Sequence, residues 1–134
     1  VARPLAPPDV AAFDDWAACI AAVYTGRDPS TGVAERGIDT RTEASADVHG
    51  ITIALAATER TLGRPLTTAE LRRFAQVNAQ MWAQVQSHAA AERQAHGDPH
   101  PLASFRVNNQ LAQAGVLERA FECPAPEQRC MPVL

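Results

Sequence analysis

The chain has 134 residues, a net charge of −3 and 46% hydrophobic residues, a composition suited to a single helical domain (1–134) with its own core. Every basic residue other than histidine is arginine, and the acidic balance, with no basic stripe, excludes a nucleic-acid binder. No apolar run reaches the roughly 20 residues that span a bilayer, so nothing in the sequence reads as transmembrane.

Residues 1–8 form a Pro-rich lead that opens at Val1, as the start of a mature exported protein would. A first helix is expected over 10–25, with Asp9 as N-cap and Gly26 as the stop; Val10, Phe13, Ala17, Ile20 and Tyr24 make its stripe. Gly26–Asp39 reads as a loop because glycine and proline recur in it. A second helix, 41–62, starts at Thr40 with Glu43 as capping partner and ends before Gly63 and Pro65. Gly50 in its middle suits a close helix crossing.

The third helix, 68–95, has the clearest start: Thr67 and Glu70 can form a capping box, and Leu66 can staple onto Leu71. Asn78 falls in its apolar stripe and reads as a tie between helices or part of a polar site. The fourth helix, 102–121, carries apolar residues on two faces, so it is buried on both sides or broken at Gly115. A Cys-bracketed tail, 122–134, follows. The expected fold is therefore an all-α bundle of four main helices, with Phe13, Ile20, Val48, Ile51, Leu55, Phe74, Met81, Val85, Phe105 and Val116 inside.

The three cysteines leave at least one thiol unpaired within the chain. The expected link is a Cys123–Cys130 disulfide, which pins the tail by closing a short loop and leaves Cys19 free and largely buried. Joining Cys19 to a tail cysteine would instead close about a hundred residues, worth ~4.7 kcal/mol in the chain-entropy model. A disulfide-tied tail suits a periplasmic or secreted protein, and reduced cysteines would suit a cytoplasmic one.

Candidate chemistry is sparse. His88, His96 and His100 with Asp98 are the only metal-ligand candidates, and their spacing favours surface histidines. Asp47 and His49 point apart on the second helix, whereas Glu43 and Asp47 are one turn apart and could share a proton or a cation. Ser45, Ser87 and Ser104 lack an activating partner in sequence, and there is no His-Glu-x-x-His run. No catalytic residue, metal or cofactor is expected.

The resulting expectation is a non-enzymatic protein-binding role in the bacterial envelope, as an inhibitor, immunity protein or accessory factor. Its partner would be another protein, with a homo-oligomer also open. The partner-facing residues would be Arg27, Asp28, Val33, Arg36 and Ile38 in the long loop, with Glu127 and Arg129 in the tail. The competing readings are a ligand-binding or enzymatic bundle with a polar pocket at Asn78 and Asn109 or His49, and a cytosolic regulatory protein.

Overall fold

The computed structural model of the protein describes residues 6–130, so Val1–Leu5 of the lead and the last four residues of the tail lie outside the described residues. The fold is all-α. The helices are α1 (Pro7–Val23), α2 (Arg41–Leu62), α3 (Thr68–Trp82), α4 (His88–Gly97), α5 (Ala103–Gln113) and α6 (Val116–Phe121). Two short strands, β1 (Gly26–Arg27) and β2 (Ala34–Glu35), pair antiparallel between α1 and α2.

Several boundaries differ from the sequence reading for identifiable reasons. α1 starts at Pro7 rather than at residue 10, because proline at the first helical positions lacks an N–H that would be unpaired there anyway. The 26–39 segment is not simply a loop. Asp28 N–H donates to Val33 O, and Gly32 adopts φ 73°, so the DPSTG stretch turns the chain back into a hairpin.

The expected 68–95 helix is two helices. It opens at Ala83 (ψ 121°), and Ser87 restarts it by accepting from Ala90 N–H at 3.3 Å. No glycine or proline marks that break. The 102–121 helix is divided at Gly115, which takes the left-handed conformation (φ 70°).

The Thr67–Glu70 capping box forms in both directions, at 3.3 Å and 2.8 Å. Leu66 and Leu71 enter the same core cluster. At the start of α2, by contrast, Thr40 makes no side-chain cap bond, and Glu43 is turned elsewhere.

Two apolar clusters hold the molecule together, and a third lies under the hairpin. Ile51, Leu55, Leu71, Leu111, Val116 and Ala120 join α2, α3, α5 and α6. Trp16, Ile20, Tyr24, Ala44 and Val48 join α1 to α2, with Cys130 among them. Val33, Ala91, Ala95 and Leu102 pack the hairpin and α4 together. Of the expected core, Phe74 and Phe105 are half-buried, whereas Phe13, Met81 and Val85 are exposed. Val85 follows the break after α3, so the stripe that would have buried it ends before it.

Cys19 pairs with Cys130, with a Cα–Cα distance of 5.7 Å, and Cys123 is exposed and free. This corrects the expected Cys123–Cys130 link. Cys130 is buried against α1, beside Cys19, whereas Cys123 follows the end of α6 and faces outward. Among the described residues no helix is long and apolar enough to cross a membrane.

Candidate active site

Glu43 and Asp47 stand one helical turn apart on α2, so their carboxylates project from one face. Each meets a basic group from the other side of the fold. Asp47 accepts a two-pronged pair from Arg106 on α5, Nε to Oδ2 and Nη2 to Oδ1, both at 2.6 Å. The two side chains are only 12% exposed, so this bidentate pair is shielded from water.

The Arg106 guanidinium also lies 3.7 Å from the centroid of the Trp82 ring, at the last residue of α3. Its remaining nitrogen, Nη1, makes no hydrogen bond among the described residues. Arg106 is thus fixed on one edge and on one face, with an open donor edge.

His100, just before α5, meets the other carboxylate. Its Nε2 is 3.3 Å from Glu43 Oε2, and its Nδ1 is 2.6 Å from Asp98 Oδ1. The His100 backbone N–H also donates to Asp98 Oδ1 at 2.9 Å, closing an Asx-type turn across Pro99. These bonds, backbone first and then ring, hold the Asp98 carboxyl below its usual range. An ionised Asp98 accepts from His100 Nδ1–H, so Nε2 is the ring nitrogen turned toward Glu43. Because Glu43 and Asp47 are one turn apart on α2, the two pairs lie side by side.

Tyr24 lies against this cluster, fully buried, with its hydroxyl unpartnered. Burial first, and the nearby Asp47 charge second, push its phenol well above the ordinary tyrosine range, while Arg106 pulls the other way. Asp47 and Trp82 border an apolar groove of about 490 Å³ between α2 and α3, lined also by Gly50, Phe74, Val77 and Met81. Gly50 therefore faces open space rather than a crossing helix.

Asn78 lines the same groove. Its Oδ1 accepts from buried Gln110 at 3.5 Å, and its Nδ2 has no partner. Asn109 is elsewhere, donating to Val23 O at 3.2 Å as a tie between α5 and α1. His49 stacks on Trp16 at 4.1 Å between ring centroids, so these residues do not assemble one polar pocket.

The residues expected to face a partner are divided by the fold. Arg27, Arg36, Ile38, Glu127 and Arg129 are exposed. Arg27 donates to Gly32 O, Arg36 pairs with Asp39 at 3.3 Å, and Arg129 pairs with Glu118. Asp28 and Val33 are buried and turned inward, which corrects their assignment to a presenting surface. Ser104 gives its hydroxyl proton to Asp28, Ser87 caps α4, and Ser45 is buried.

His88 lies on Thr31 O and Glu92, away from His100. Sequence reasoning named Glu43, Asp47, Asp98 and His100 without seeing that they converge; it read Trp82 only as part of an apolar stripe and missed Arg106. The one available signal was the Glu43/Asp47 spacing, which looks the same on any solvated helix face.

The chain belongs to peptidase family M13, a metallopeptidase family, whose model matches residues 1–131. No curated protein and no solved structure matches it significantly. The family match overturns the expectation of a non-enzymatic inhibitor, immunity protein or accessory factor.

The metal that such a family implies does not fit the residues of this chain taken alone. Asp98 and Glu43 lie on opposite nitrogens of the His100 ring and cannot converge with it on one ion. Among the described residues no group of three or more His, Cys, Asp or Glu could hold a metal.

Proposed function

We propose that this chain supplies the carbonyl-binding and proton-handling groups of a peptidase centre. The observation that carries the reading is the fixed Arg106, locked by Asp47 and Trp82 with Nη1 open, next to the Asp98–His100–Glu43 chain. As water adds to the peptide carbonyl carbon the carbonyl oxygen gains negative charge, and the C–N bond then breaks as the amine leaves with a proton. A pre-oriented guanidinium stabilises that charge without reorganising. His100, oriented by Asp98, donates or accepts a proton through Nε2, the nitrogen that faces Glu43. The apolar groove beside Asp47 and Trp82 receives an apolar side chain of the peptide.

The Cys19–Cys130 disulfide fits an oxidising compartment, and we place the protein in the periplasm or outside the cell.

The test is hydrolysis of fluorogenic peptides by the full protein. Arg106→Ala is expected to lower kcat/KM by about 10²–10³-fold, in line with loss of one oxyanion donor. Arg106→Lys fails to rescue it, because an ammonium cannot hold the two-pronged pair and the ring stack together. Wild-type turnover by folded Arg106→Ala would overturn the reading.

A further inference from the structure

The hairpin between α1 and α2 buries two acidic side chains, and both reach the start of α5. Glu35 is 1% exposed, and its Oε2 accepts from Leu102 N–H at 3.1 Å. Asp28 is 3% exposed, and its Oδ1 accepts the Ser104 hydroxyl proton. Leu102 and Ser104 lie inside the short stretch bounded by His100 and Arg106. We propose that the hairpin is a clamp for that stretch, with Glu35 and Asp28 as positioning residues for His100 and Arg106. This rests on the peptidase reading above.

Three features argue that the clamp is built rather than incidental. Leu102 occupies the N-cap of α5 without a polar side chain, and its own N–H is bonded by Glu35, 67 residues away, as the Glu or Gln at N3 of a capping box would do. Asp28 is itself immobilised: its Oδ2 accepts from Ser30 Oγ at 2.6 Å, Thr31 N at 2.7 Å and Thr31 Oγ1 at 2.6 Å. The negative charge it carries is favourable at the N-terminal end of α5.

Third, the arrangement is costly. Glu35 is buried, with the Thr40 hydroxyl and Leu102 N–H beside its carboxyl, and burial still raises that carboxyl above the ordinary range. A leucine in its place would remove the burial cost of the carboxyl but leave the Leu102 N–H without its acceptor. What the acid adds is a directional bond to the backbone between the two reactive side chains. On the other side, Gln94 Nε2 donates to Pro101 O at 3.1 Å, so the segment is held from both flanks.

The experiment measures kcat and KM for peptide hydrolysis by the full protein carrying Glu35→Leu, Glu35→Gln or Ser104→Ala, alongside wild type and Arg106→Ala. If wild type does not hydrolyse peptides, or Arg106→Ala matches it, the peptidase reading fails and the clamp with it. If those controls behave, Glu35→Leu is expected to lower kcat by about 10–100-fold, as a small displacement of reacting groups does, with KM little changed. Glu35→Gln retains an acceptor for Leu102 N–H and is expected to keep kcat near wild type. Ser104→Ala, a smaller change that decides the matter if Glu35→Leu does not fold, is expected to lower kcat with KM little changed. Wild-type kcat in every folded variant among Glu35→Leu and Ser104→Ala, or a loss that follows the folded fraction alone, would overturn the clamp.

Discussion

Asp28 and Glu35 lie within one hairpin and answer to pH in opposite senses. Burial alone would raise the Asp28 carboxyl, but bonds from Ser104, Ser30 and Thr31 outweigh it and hold it at about 2, against an ordinary 3.8. Its folded value is below its unfolded one. Its contribution, about 2 kcal/mol, is therefore present above roughly pH 4 and lost as pH falls toward 2. Acid titration of stability should show Asp28→Asn converging on wild type over that window.

Glu35 runs the other way. Burial raises its carboxyl, bonds from Leu102 N–H and the Thr40 hydroxyl oppose it, and the Asp39 and Asp28 charges add to the rise. Its protonated form is favoured in the fold, so this contribution is full below its ordinary 4.5 and lost as pH rises through the raised folded value. Glu35→Gln is expected to gain stability over wild type at pH 7 and not at pH 3. A gain independent of pH would contradict the burial account.

At the scale of elements, the helix ends and the close approaches carry the measurable effects. Removing the α3 capping box with Thr67→Ala should cost about 1 kcal/mol in denaturant unfolding. Gly37 is buried against the end of α1. A Cβ there would strike Ala21 O and lie 2.8 Å from Ala21 C, backbone atoms that cannot step aside. Gly37→Ala should therefore destabilise by roughly 1–3 kcal/mol, the range for overpacking.

Gly50 is the opposite case. Nothing lies within 4 Å of its added Cβ, so Gly50→Ala should stabilise α2 by up to about 1 kcal/mol while narrowing the groove. Leu55→Ala, in the α2–α3–α6 cluster, should cost about 2–5 kcal/mol. A loss under ~1 kcal/mol would mean that this side chain is not in the core.

Across the whole molecule, the Cys19–Cys130 link ties the tail to α1 over a separation of 111 residues. In the chain-entropy model a loop of that length contributes about 4–5 kcal/mol. Alkylation without reductant should modify one thiol, Cys123, and Cys19→Ser should lower the melting temperature more than Cys123→Ser. Two or three modified thiols in oxidised protein would contradict the pairing.

Local chemistry determined what could be read from neighbours in sequence: the all-α class, the capping box at Thr67, the stop at Gly63 and the break available at Gly115. These depend on hydrogen bonds and periodicity within a few residues, which the order of amino acids states directly. The break after Trp82 was hidden because Ala83–Gln86 contains no breaker, and only Ser87 marked the restart. What tertiary structure alone decided is which partner each polar group finds. Glu43 could serve as a local cap or as a partner for His100, and the fold brings His100 within 3.3 Å. Asp28 could face solvent or the start of α5, and hairpin closure turns it inward. The same holds for Asp47 with Arg106, 59 residues away, and for Cys19 with Cys130. Such pairs depend on the packing of α1, α2 and α5 against one another, and a side chain's identity does not encode which distant group that packing will set beside it.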